Sequence, residues 1–212
     1  MFLSIHPDNP QPRLLDQAVK ILRNGGVIIY PTDTMYALGC DINSKKAVHE
    51  ICRIKGIDPN KAQLSCVCEN LAITGLYVNR VSTPVFKLMK RALPGPYTFI
   101  LDASREIPRH FQHKKTVGIR VVDHPITQHL VHRLGNPIAS STIPMEEEDL
   151  TSVKDPVLLY ERWGKQVDLV IDGGYGNGVL STVIDCSSAV DMITVLREGA
   201  GPLEPLGLDM GE

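Results

Sequence analysis

The chain has 212 residues, of which 43 % are hydrophobic and 22 % charged, an ordinary composition for a soluble globular protein with one sizeable core. No apolar run reaches the roughly 18 residues of a membrane span, and Met1-Phe2-Leu3-Ser4-Ile5-His6-Pro7 lacks the basic region and long apolar stretch of a secretion signal, so the expected location is the cytoplasm. The net charge of −2 conceals a split: residues 1–122 hold 17 Lys/Arg against 9 Asp/Glu, and residues 123–212 hold 5 against 15.

Apolar residues at helical spacing (Leu14, Leu15, Ala18, Val19, Leu22) predict a helix over 13–23, ended by Gly25-Gly26. Val27-Ile28-Ile29-Tyr30 reads as a buried strand stopped by Pro31, followed by a loop through Gly39. Ser44 caps a helix to Ile54, and a strand follows over 64–68. A helix is predicted over 83–92, and Pro94-Gly95-Pro96 breaks the chain before the strand 97–101. Strands 117–121 and 137–140 flank a helix from Pro125 to about Gly135. Residues 144–156 read as a polar loop around Glu146-Glu147-Glu148-Asp149, followed by a helix over 157–163 and strands over 167–171, 182–185 and 193–197. Some strands follow one another directly, which argues for an α/β (α+β) fold with a mixed sheet flanked by helices. The Gly- and Pro-rich segment after Gly199 reads as a loose tail.

Five cysteines occur, Cys40, Cys52, Cys66, Cys68 and Cys186. Cys66 and Cys68 share one face of a strand and read as buried thiols, since no further ligands stand at zinc-site spacing. Residues 80–120 carry Arg80, Lys87, Lys90, Arg91, Arg105, Arg109, Lys114, Lys115 and Arg120 against Asp102 and Glu106. Such a field attracts nucleotide or RNA, unless the acidic half neutralises it on folding.

Five segments carry possible chemistry. Tyr30-Pro31-Thr32-Asp33-Thr34 releases hydroxyls at a strand end, where α/β sheets meet their ligands. Arg53-Ile54-Lys55 places cations at a helix C-terminus, suited either to the helix dipole or to a phosphate. Arg120 punctuates an apolar strand and needs an anion or a carboxylate partner there; a guanidinium grips a carboxylate in a two-pronged fork. Ser140-Ser141-Thr142 ends a strand in three hydroxyls. Ser181-Thr182-Val183-Ile184-Asp185 and Arg197-Glu198-Gly199 add polar groups at strand edges.

Together with Pro94-Gly95-Pro96-Tyr97-Thr98-Phe99 and His124-Pro125, these segments resemble, in order and spacing over residues 5–200, the YrdC/YciO family, which includes the threonylcarbamoyl-AMP synthases. Ile5-His6-Pro7-Asp8-Asn9-Pro10-Gln11 and Leu38-Gly39-Cys40 read like its YciO branch. The resemblance implies a YrdC-like domain over 1–200, a flexible tail over 201–212, and a large positively charged concave cavity in a twisted mixed sheet. It implies formation of threonylcarbamoyl-AMP from threonine, bicarbonate and ATP in tRNA modification. Thr34, Arg120, Ser140 and Ser181 would face the amino acid; Lys55, Val117, Thr142 and Arg197 would lie along the ATP or AMP, with Mg2+ bridging phosphates. Family members are also described as binding double-stranded RNA or tRNA, for which Lys114 and Lys115 are the expected contacts. No residue is assigned a catalytic role.

Two departures weigh on the synthase expectation. Where the synthases carry Lys-x-Arg and Ser-x-Asn, this chain reads Lys55-Gly56-Ile57 and Thr142-Ile143-Pro144. Loss of a buried phosphate clamp costs on the order of 10²–10³ in rate. Nucleotide binding is therefore expected to survive better than catalysis, and an RNA-binding protein without synthase activity, or a domain taking an unrelated small anion, stands beside the enzyme.

Overall fold

Alternation with period two governs most strands of this chain. Each strand sends one set of side chains into a deep apolar layer and the other set to the opposite face. In a computed structural model that describes residues 1–111, 115–144, 153–188 and 192–208, ten strands form one mixed sheet. They are β1 (Phe2–Ser4), β2 (Ile28–Tyr30), β3 (Ala37–Asp41), β4 (Ser65–Val67), β5 (Tyr97–Asp102), β6 (Thr116–Arg120), β7 (Ile138–Thr142), β8 (Leu169–Asp172), β9 (Thr182–Asp185) and β10 (Thr194–Arg197). Their order across the sheet is β1-β8-β2-β3-β7-β4-β6-β5-β9-β10. Parallel pairs (β1–β8, β2–β8, β4–β6, β5–β9) mix with antiparallel ones, as the direct strand-to-strand succession predicts.

Six helices accompany the sheet among the described residues: α1 (Pro12–Arg23), α2 (Lys45–Lys55), α3 (Leu71–Tyr77), α4 (Thr83–Ala92), α5 (Pro125–Leu134) and α6 (Pro156–Trp163). One face of the sheet, through Leu38, Cys40, Cys66, Phe99, Ile119, Ala139, Val170 and Ile184, packs on apolar residues of α2, α4 and α6. The buried thiols of Cys40, Cys66 and Cys68 belong to this layer. The other face is covered at one end only, where Leu15, Ala18, Val19 and Leu22 of α1 and Ile126, Leu130, Val131 and Leu134 of α5 pack on Ile28, Tyr30, Val67, Ile138 and Ile171. Its other end, from β7 to β10, has no covering helix among the described residues and forms a cavity.

The expected helices and most strands are present, with ends shifted by one or two residues. Three features differ. The loop expected through Gly39 closes earlier, and Ala37–Asp41 forms β3, antiparallel to β2 and β7; Ala-Leu-Gly-Cys-Asp lacks β-branched residues and owes its strand state to its neighbours. The β1 edge strand and the short α3, capped by Asn70 accepting from the Ile73 N–H, escape a periodicity reading because each is too short to show one.

The tail is the third. Residues 201–208 are docked rather than loose: Gly201 N–H donates to Thr182 Oγ1, Tyr97 O–H donates to the Pro202 carbonyl, and Leu203 and Leu206 are buried. Two leucines that bury apolar surface outweigh the flexibility that Gly and Pro suggest. Residues 209–212 lie outside the described chain, as does most of the acidic loop (145–152).

Candidate functional site

The cavity of about 280 Å3 lies on the uncovered part of the sheet, near the lower end of the range typical of small-molecule sites, roughly 300–1,000 Å3. Directly paired residues share a face, and the floor can be read across the ladder. Ser140 of β7 pairs with Ser65 of β4, Ser65 with Gly118 of β6, and Gly118 with Ile100 of β5. Thr98 pairs with Val183, which faces Arg197 of β10. Small and hydroxylated residues thus stand where an apolar face would need bulk. Gly118 keeps the floor shallow: a Cβ there would come within 3.2 Å of Ser65 Oγ and 3.3 Å of Thr98 Cγ2.

Of the eight residues expected along amino acid and nucleotide, Thr34, Val117, Arg120, Ser140, Thr142, Ser181 and Arg197 line this one cavity. Lys55 does not line it. It stands one step behind, with Nζ donating to the Thr142 carbonyl at 2.7 Å. Its burial pulls the ammonium below the ordinary lysine pKa, and among the described residues it has no ion-pair partner.

The two arginines differ in their partners. Arg120 donates through Nη2 to Asp33 Oδ1 at 2.8 Å and to Thr34 Oγ1 at 3.0 Å, and both members of the ion pair are nearly buried. Asp33 is held in turn by the Asp123 N–H on Oδ2 and by Asn177 on its carbonyl. The carboxylate that the sequence demands for Arg120 is therefore internal, while the buried Nε–H of Arg120 has no partner among the described residues. Arg197 has no carboxylate at ion-pair distance among the described residues. It donates to the Ser181 carbonyl and to Ser181 Oγ, which also shares a hydrogen bond of 2.9 Å with Thr98 Oγ1. Desolvation, and then the nearby Arg120 charge, lower the Arg197 pKa, the mark of two cations facing the same enclosure.

The basic stretch lies elsewhere. Of its nine cations, Arg120 is the one that lines the cavity among the described residues; Arg80, Lys87, Lys90, Arg91, Arg105, Arg109 and Lys115 are exposed. Lys114 falls outside the described residues. The cations at the cavity are therefore arginines far apart in sequence, Arg120 paired with Asp33 and Arg197 with no carboxylate at ion-pair distance among the described residues. Sequence reasoning also missed Asp33 as the partner of Arg120, and Ser65, Thr98 and Gly118 as floor. The Gly between Val117 and Ile119 was the signal available for the last of these.

A mixed-sheet α/β domain with a hydroxyl-lined sheet face and an arginine that has no carboxylate at ion-pair distance among the described residues is a fold with a site suited to a small anion. A family model named Sua5/YciO/YrdC, with the description "Telomere recombination", matches residues 20–199, and the chain belongs to that family. It is 44 % identical to the uncharacterized protein YciO of Escherichia coli over 96 % of this chain and 98 % of that one. The crystal structure of E. coli YciO superimposes with a TM-score of 0.88, covering 97 % of this chain and 98 % of that one. The threonylcarbamoyl-AMP synthase of Coxiella burnetii is 32 % identical over 76 % of this chain and 86 % of its own length. The structure of P. abyssi Sua5 complexed with L-threonine matches with a TM-score of 0.83 at 25 % identity, over 96 % of this chain and 59 % of that one. Among the described residues, no helix is long and apolar enough to cross a membrane.

Proposed function

We propose that this protein binds ATP or AMP together with an amino acid in the cavity, and that it forms threonylcarbamoyl-AMP from threonine, bicarbonate and ATP with release of pyrophosphate, for use in tRNA modification. The observation that carries the reading is Arg197, a half-buried guanidinium beside hydroxyls with no carboxylate at ion-pair distance among the described residues. A desolvated cation without a counterion is costly until an anion arrives, and a nucleotide phosphate supplies one. Arg120 and Thr34 line the same cavity, where an amino-acid carboxylate would sit. Synthase relatives and a threonine-bound Sua5 neighbour support the same assignment.

No carboxylate is among the described lining residues. A magnesium ion, a hard cation that prefers oxygen ligands, would thus enter on the phosphate oxygens of the nucleotide with the cavity hydroxyls around it. Ser140, Thr142 and Ser181 are the hydroxyls of this chain that would border it, and its charge would offset that of the phosphates.

Ile57 and Pro144 supply neither of the polar groups that the synthases carry at those places, which bears on the synthase step rather than on binding. Calorimetric titration with ATP and AMP tests it, alongside an assay of pyrophosphate release with threonine and bicarbonate. Nucleotide should bind, and Arg197→Ala should weaken binding by roughly 10- to 100-fold, the worth of a charge-assisted hydrogen bond. No heat with either nucleotide would refute the binding reading. Binding without product above a blank would remove the synthase step alone.

The exposed basic residues between Arg80 and Lys115 favour a second reading, in which double-stranded RNA or tRNA docks on that surface.

A further inference from the structure

Tyr30 ends β2 and is fully buried, yet its hydroxyl is used two strands away. β3 lies between β2 and β7, and its Gly39 pairs with Ile28 on one side and with Ser140 on the other. The Tyr30 ring occupies the space that a side chain at 39 would need: a Cβ there would stand 2.5 Å from Tyr30 Cε1 and 3.0 Å from Cδ1. Through this slot the ring crosses the middle strand and donates its O–H to Ser140 Oγ at 2.8 Å. Burial pushes the phenol up to about 12, so it remains a donor throughout the physiological range.

A serine hydroxyl carries one proton and two lone pairs. With one lone pair taken by Tyr30, the proton of Ser140 is left for another acceptor, and Ser140 lines the cavity. We propose that Tyr30 is a positioning residue: by occupying Ser140 as an acceptor it holds that serine's proton toward the cavity, where it is donated to an anionic oxygen of the ligand. The proposal rests on the cavity being the ligand site argued above. The anionic oxygen belongs either to an amino-acid carboxylate or to a nucleotide phosphate.

Two measurements decide it. Neutron diffraction from deuterium-exchanged crystals shows the hydroxyl directions without any ligand. The Tyr30 deuteron should lie on the line to Ser140 Oγ, and the Ser140 deuteron should face the cavity; a Ser140 deuteron aimed at Tyr30 overturns the proposal. Calorimetry with L-threonine and, separately, AMP on wild type, Tyr30→Phe, Ser140→Ala and the double variant then reads the consequence. Tyr30→Phe keeps the ring in its slot and should weaken one of the two ligands by roughly 2- to 10-fold, the range for a neutral hydrogen bond, and have no further effect once Ser140 is Ala. The ligand affected identifies the source of the oxygen. An equal loss in both backgrounds, or none, refutes the relay. Wild-type protein that binds neither ligand sinks the proposed function, and the deuteron directions still decide the role of Tyr30.

Discussion

Arg120 and Asp33 form the most buried ion pair among the described residues, 2.8 Å apart with side chains 10 % and 7 % exposed. A buried charge that loses its partner is worse off than a pair that was never built. Asp33→Ala leaves the guanidinium with Thr34 alone and also frees the Asp123 N–H. Urea unfolding should show a loss of about 3–5 kcal/mol. A loss below about 1 kcal/mol, the worth of an exposed pair, would mean that water reaches the guanidinium. At this scale the sequence was half legible. A lone arginine in an apolar strand announces a required anion, but nothing in Thr32-Asp33-Thr34 distinguishes a turn residue from the counterion of a side chain 87 positions away.

At the scale of elements, β6 shows how a strand makes a floor. Ile119 and Val117, which also borders the cavity, face the apolar layer, whereas Thr116, Gly118 and Arg120 face the cavity. Gly118 lies opposite Ser65 and Ile100, in the middle of that floor. A leucine there presses its Cβ on Ser65 and Thr98 and extends into the cavity, so Gly118→Leu should abolish nucleotide binding and lower the thermal midpoint while far-UV circular dichroism stays near wild type. Wild-type affinity in that variant would place the ligand elsewhere. The alternation of β6 was readable in advance, because period two is a property of the strand itself. The state of β3 was not, since Ala37–Asp41 is held by antiparallel pairing to β2 and β7 rather than by its own preferences.

Across the whole molecule, the charge split between the halves of the sequence does not become a split between cavity and exterior. The basic stretch is displayed on the surface, while the cavity draws Arg120 from β6 and Arg197 from β10, a strand of the acidic half. The two readings of function are therefore separable by substitution. If RNA docks on the exposed residues, binding measured by filter retention or fluorescence anisotropy should fall steeply with salt. Arg105→Glu with Lys115→Glu should then lower the affinity and reduce the log–log salt slope by about 1 for each phosphate that is no longer neutralised, with ATP binding unchanged. Salt-insensitive retention, or none, removes the RNA reading and leaves the cavity intact. Arg197→Ala should do the reverse, weakening ATP and sparing RNA.

The sequence by itself determined the identities and order of the chemical segments, the helices other than α3, the Ser44 cap of α2, and the mixed character of the sheet. These follow from local rules, spacing and turn chemistry, that act over a few residues. Only the tertiary structure decided which sheet face goes uncovered, because periodicity says that residues share a face and not whether a helix will land on it. It also decided that Arg120 meets Asp33, that Lys55 stands behind the wall on the Thr142 carbonyl, that Tyr30 reaches Ser140 over Gly39, and that residues 201–208 dock on Tyr97 and Thr182. Each of these joins segments far apart in the chain, fixed by strand order and register rather than by neighbours in sequence.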